Sequence, residues 1–148
     1  MRILIVASLA LALAVGCAGD TGLGIRQGPG RAERTVDPGA AFEIRVGETV
    51  LVAGTHVLIF FDRVLEDSRC PTGVECPWEG NAGARFELSL DNAELAPQPV
   101  VLNTTLAPRE AGRFDLRFRI TTLRPYPDYS GPPIDPADYV AELEISRP

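Results

Sequence analysis

"AFEIRVGETVLVAGTHVLIFFDRVLED", residues 41 to 67, decides the fold class. Apolar and polar residues alternate in "AFEIRV", the beta-branched and aromatic content is high, and glycines at 47 and 54 punctuate the run every seven residues. Alternation with period two places successive side chains on opposite faces of a strand. Gly47-Glu48 and Gly54-Thr55 each offer a Gly-X two-residue turn. The natural expectation is a three-stranded meander of 41–46, 49–53 and 56–67.

The same texture continues outward. "NAGARFELSL" (81–90) puts Ala84, Phe86, Leu88 and Leu90 on one face and Arg85, Glu87 and Ser89 on the other. "QPVVLNTT" (98–105) reads as an edge strand, because Pro97 and Pro99 have no N–H to donate to a ladder. "RFDLRFRITTL" (113–123) reads as one strand with Phe114, Leu116, Phe118 and Ile120 inward, and "YVAELEI" (139–145) closes the domain with Tyr139, Ala141, Leu143 and Ile145 inward. No segment keeps a helical period over ten residues. The expectation is an all-β fold: an antiparallel β-sandwich or partly open barrel of about seven strands, with one loop disulfide. An immunoglobulin signature is missing, since no cysteine pair is placed to bridge two sheets around a tryptophan.

The other end of the chain concerns address. Arg2 followed by the apolar run Ile3 to Val15 and the small residues before Cys17 has the layout of a secretory signal peptide, too short to span a bilayer. "LAVGC" resembles the lipobox of bacterial lipoproteins, which implies a signal peptide at 1–16, a lipidated (palmitate-bearing) Cys17 and an envelope location. Ala18 after the cysteine implies the outer membrane, facing the periplasm, in a Gram-negative cell. Residues 18 to 38 are rich in glycine and charge without apolar period, so 17–38 reads as lipidated cysteine plus flexible tether, and 39–148 as a single domain.

Export sets the chemistry of the remaining cysteines. With Cys17 assigned to lipid, Cys70 and Cys76 form an even pair in an oxidising compartment, and C-x5-C around Pro71 and Gly73 reads as a loop staple rather than a C-x-x-C redox centre. The net charge is −6 for the whole chain, and every basic residue is arginine. An acidic excess argues against nucleic acid, and the lack of lysine excludes lysine Schiff-base chemistry.

"FDRVLEDSRCPTGVECPWEGNA" and "RPYPDYSGPPIDPADYVAELEI" are similar to a group of small secreted or lipid-anchored bacterial proteins carrying D-S-R-C-P-x4-C-x-W-x-G after a strand. Glu79 stands where alanine is usual in that pattern. The resemblance implies a β-rich single domain with a Cys70–Cys76 disulfide, and carries no activity, cofactor or ligand.

Candidate functional residues follow from the inventory. His56, the only histidine, stands at a turn, and no activating context surrounds Ser68, Ser89 or Ser130 as a nucleophile. Zinc on Cys70, Cys76 and His56 has the wrong spacing and competes with oxidation. Asp62, Glu66, Asp67, Glu75 and Glu79 cluster in sequence, interleaved with Arg63 and Arg69; they read as a salt-bridged surface, with a small hydrolase built on Asp62, Glu66 and Asp67 as the alternative function. No cofactor and no metal site is expected. Trp78 is expected to lay its ring over the disulfide and one end of the core, with an exposed binding anchor as the other reading. Asp67 reads as a turn starter that accepts backbone N–H groups, so that Asp67→Asn should preserve the turn. The functional expectation is a monomeric, lipid-anchored, non-catalytic binding or structural module that meets an envelope protein partner through Arg69 and Trp78, or through Tyr126 and Tyr129.

Overall fold

The computed structural model describes residues 30–148. The signal segment, Cys17 and most of the tether lie outside the described residues. Nine strands are present among those described: β1 (Arg34–Val36), β2 (Ala41–Arg45), β3 (Thr49–Val52), β4 (Val57–Asp67), β5 (Ala82–Leu90), β6 (Gln98–Asn103), β7 (Glu110–Arg113), β8 (Leu116–Arg124) and β9 (Val140–Ser146), with one 3-10 turn at Pro136–Asp138. They form a five-stranded sheet in the order β1-β3-β4-β5-β6 and a four-stranded sheet in the order β2-β9-β8-β7. The sheets do not close into a barrel, and the inward side chains of both form one core. The sandwich reading holds. Phe61 and Phe86 stack at 4.7 Å in the first sheet, and Phe118, Ile120, Leu143 and Ile145 complete the core from the second.

Three sequence expectations need correction. The meander does not form: β2 pairs antiparallel with β9 in the other sheet, while β3 pairs with β4. Alternation says that a strand has an inner face but not which strand lies beside it, and the turn at 45–48 is satisfied without hairpin pairing. Glu48 N–H donates to Arg45 O, the Glu48 carboxylate accepts from Arg45 N–H and pairs with Arg34, and Gly47 (φ +86) lets the chain turn the corner. Gly47 N–H then donates to Phe61 O, and Phe61 N–H to Glu48 O, which stitches the corner to β4.

Residues 113–123 are a hairpin rather than one strand. Phe114 and Asp115 both have positive φ (52° and 57°), the backbone of a type I′ two-residue turn between β7 and β8. Phe-Asp lacks the Asn-Gly chemistry that usually announces such a turn, so the run looks continuous in sequence. Phe114 is only partly buried, at the margin of the core. The third correction concerns β1, which falls inside the stretch read as tether and pairs in parallel with β3, burying Val36. Too short to show a period, it is invisible to pattern reading. The proline argument for 98–105 holds, since β6 is an edge strand.

Strand β4 sets up the site. Register shifts lie between Phe61 and Arg63 and between Val64 and Glu66. Each bulge adds one residue and switches which parity points inward. Phe61, Val64 and Asp67 consequently stand opposite Phe86, Ala84 and Ala82, the inward residues of β5. Two switches leave Asp67 facing the gap between the sheets at the open end of the sandwich, a position that a carboxylate occupies only with partners.

Candidate functional site at the disulfide-tied end

Pairing between the chains that leave β4 and enter β5 continues past the strands: Ser68 N–H donates to Asn81 O (2.7 Å) and Cys70 N–H to Glu79 O (3.0 Å). The Cys70–Cys76 disulfide spans a Cα separation of 5.9 Å inside the loop so formed. Gly80 makes the approach possible. Its φ is +77°, and a Cβ there would lie 1.9 Å from Ser68 O. Asn81, buried, holds the base of the loop: its Nδ2 donates to Asn103 Oδ1 (2.9 Å), and its Oδ1 accepts from Thr105 and Leu106 N–H.

Arg69 closes the end of the sandwich. Its Nε donates to Asp67 Oδ1 (2.8 Å) and its Nη2 to Asp67 Oδ2 (2.5 Å), the fork-to-fork geometry of a bidentate pair. Nη1 donates to Leu123 O at the end of β8 and Nη2 to Pro125 O, so one guanidinium ties the β4–β5 hairpin to the opposite sheet. The Tyr126 ring lies 4.6 Å from the guanidinium carbon, within cation–π range. From the residue before β9, the Tyr139 hydroxyl donates to Asp67 Oδ2 (2.9 Å).

The electrostatics follow from those contacts. Burial pushes the Asp67 carboxyl up, but the hydrogen bonds from Arg69 and Tyr139 and the charge of Arg69 outweigh it and hold the group below the usual carboxylate range. Burial, together with the hydrogen bond to Asp67 and that residue's negative charge, pushes Tyr139 up to about 12. Both shifts stabilise the pair as carboxylate and neutral phenol.

A second loop is laid against the first. Thr72 and Asp128 form a parallel bridge, with Thr72 N–H donating to Pro127 O (2.9 Å) and Tyr129 N–H to Thr72 O (3.1 Å). Asp128 accepts from the N–H and hydroxyl of Ser130, and these bonds hold its carboxyl below the usual range. The side chains left outward are aromatic. Trp78 is 72% exposed, Tyr129 74% and Tyr126 47%.

The structure thereby separates the candidate binding residues. Trp78, Tyr126 and Tyr129 are displayed on two hydrogen-bonded loops. Arg69 is not available for contact: it is 6% exposed and directs four N–H bonds inward, which overturns its reading as a residue that meets a partner. The expectation that Trp78 covers the disulfide and the core is also overturned. The end of the core is closed by the Asp67–Arg69–Tyr139 unit instead, and the tryptophan is left facing solvent.

The carboxylates of the sequence cluster are dispersed. Asp62 is held by Arg63 (2.8 Å) and Arg85 (3.2 Å) and lines an open cleft of about 700 Å³ with Phe60, Val64 and Pro136. Asp67 lines a different cleft, of about 320 Å³, with Tyr139 and Asp128. Glu66 is exposed. A carboxyl acting as general acid needs its pKa raised, whereas that of Asp67 is lowered. His56 bonds Asp91 (2.8 Å) at the turn before β4, the opposite end of an eleven-residue strand from Asp67. No serine hydroxyl bonds it among the described residues, and the zinc trio is not assembled, because both thiols are joined to each other. Among the described residues, no group of three or more His, Cys, Asp or Glu is placed to hold a metal ion.

Sequence reasoning missed Gly80, Asn81 and the Asp67–Tyr139 contact. The first two lie inside "CPWEGNA", where the motif itself was the available signal; the third joins residues far apart in sequence and leaves none. No protein-family model, curated protein or solved structure matches this chain. The site is therefore read from its own geometry: a β-sandwich whose disulfide-closed hairpin and facing loop display aromatic side chains.

Proposed function

We propose that the protein is a lipid-anchored envelope module, held to the membrane through Cys17, that binds a partner through the aromatic surface of the 70–79 and 125–131 loops and performs no catalysis. The observation that carries this reading is the exposure of Trp78 on a loop fixed by a disulfide, by cross-loop hydrogen bonds and by Arg69. A large ring held open to water by a rigid frame has little ordering left to lose on binding, which is the condition for an effective anchor. The dispersal of Asp62 and Asp67 into separate arginine pairs speaks against the carboxylate hydrolase. In a Gram-negative cell, the outer membrane facing the periplasm is the proposed location.

Two measurements test this. Metabolic labelling with palmitate should mark the wild type and not Cys17→Ser; equal labelling overturns the anchor. A photo-crosslinking amino acid placed at position 78 in living cells should give a discrete adduct that the same residue placed at position 56 does not. Absence of any adduct specific to position 78 overturns the binding reading.

A further inference from the structure

Resting on that reading, the charge around the aromatic surface identifies the chemistry of its occupant. Glu75 and Glu79 flank Trp78 closely in sequence, and Asp128 directly precedes Tyr129. All three carboxylates are exposed, and none enters an ion pair among the described residues. Arg69 and Arg124, the arginines nearest these loops in sequence, are already paired, Arg69 with Asp67 and Arg124 with Glu43. The displayed surface therefore joins exposed aromatic rings with three exposed carboxylates that no ion pair neutralises among the described residues. Anionic lipid headgroups, phosphates and nucleic acid meet like charge there. An arginine or lysine side chain gains both from the carboxylates and from the π faces, tryptophan being the strongest of the aromatic acceptors. Within the same site, the guanidinium of Arg69 already lies over the Tyr126 ring at 4.6 Å, so the fold shows the contact that a partner's cation would repeat on Trp78.

We propose that this end docks a basic segment of a partner protein, with Trp78 receiving an arginine or lysine side chain and Glu75 and Glu79 pairing with its neighbours. Trp78 is exposed while Arg69 and Tyr139 are buried, so binding at position 78 leaves the closure of the sandwich intact.

Trp78 is the only tryptophan, and its emission reports directly on the site. Full-length protein in a neutral detergent is titrated with a short arginine–glycine peptide, with a glutamate–glycine peptide and with a neutral oligosaccharide. The expected result is a saturable change in Trp78 emission with the arginine peptide alone. Affinity of the dye-labelled arginine peptide, read by anisotropy, should fall by about two- to fivefold in Trp78→Ala, the size of one cation–π contact at an exposed site, and also fall in Glu75→Gln/Glu79→Gln. Both variants alter exposed side chains, and unchanged circular dichroism confirms their fold. No saturable change with the arginine peptide, equal response to the glutamate peptide, response to the oligosaccharide alone, or full affinity in Trp78→Ala each overturns the proposal. The last outcome marks diffuse attraction to an acidic protein. If the peptide fails while the crosslink at position 78 persists, the basic partner falls and the binding surface stands; if both are absent, both fall.

Discussion

Asp67→Asn tests the account of how the loop end is held. The side chains of Arg69 and Asp67 are 5% and 10% exposed, so removing the negative charge strands a buried guanidinium. Asparagine is nearly the same shape, but it cannot satisfy the site. Oδ1 accepts from Arg69 N–H and Nε, and Oδ2 accepts from Arg69 Nη2 and the Tyr139 hydroxyl. Whichever way the amide is turned, its NH2 group faces an arginine donor. Breaking a buried pair by removing one partner costs about 3 to 5 kcal/mol. For a domain of this size that is a drop of roughly 10 to 25 °C in Tm. Urea and thermal denaturation followed by circular dichroism give the value, with Asp67→Asn/Arg69→Met completing a cycle. The double variant should lose less than the sum of the single changes, with a coupling above about 2 kcal/mol. A loss below about 1 kcal/mol in Asp67→Asn refutes the reasoning, and returns Asp67 to the turn-starting role that its sequence context suggests.

Phenolate absorbance should show one tyrosine titrating near 12, and Tyr139→Phe should remove it. Because its folded pKa is raised, its share of stability is fully present below about pH 10 and lost as pH rises through about 12. Asp67 is the reverse case: its folded pKa is depressed, so its share is present above about pH 4 and lost as pH falls through the folded value, and Asp67→Asn should flatten the acid limb of a stability curve. Gly80→Ala should cost at least about 3 kcal/mol or abolish folding, because backbone must move, whereas Gly73→Ala, in open space at φ +87, should cost about 1 to 2 kcal/mol; equal effects measured by urea denaturation would contradict the close approach at Ser68. Reducing the disulfide should cost about 2 to 2.5 kcal/mol for so short a ring, and Trp78→Ala should change stability by less than about 0.5 kcal/mol; a larger loss in Trp78→Ala would show that the ring packs.

Period-two alternation is a local property, and most strands carry it on their own residues. The inward residues of β5, β9 and most of β8 were legible for that reason, as was the edge position of β6 from its proline. The pairing of Cys70 with Cys76 was legible from export and spacing. Partner choice was not. A corner at Gly47 and a hairpin turn share the same glycine, so the departure of β2 to the second sheet depends on packing between sheets, a sum over distant contacts. The turn at Phe114-Asp115 escaped because its residues lack the usual turn chemistry and the surrounding fold supplies the stabilisation.

In "DSRCPTGVECPWEG" the division is sharpest. Its residues by themselves determine a stapled turn with a tryptophan and several charges. Tertiary structure alone decided that Arg69 is the internal member and Trp78 the external one. Two bulges in β4 rotate Asp67 into the gap between the sheets; a carboxylate there requires a buried cation, and Arg69 is near enough to supply it. That gap is closed by a salt bridge and by Tyr139, which directly precedes β9 of the opposite sheet, while the indole of Trp78 stays in solvent.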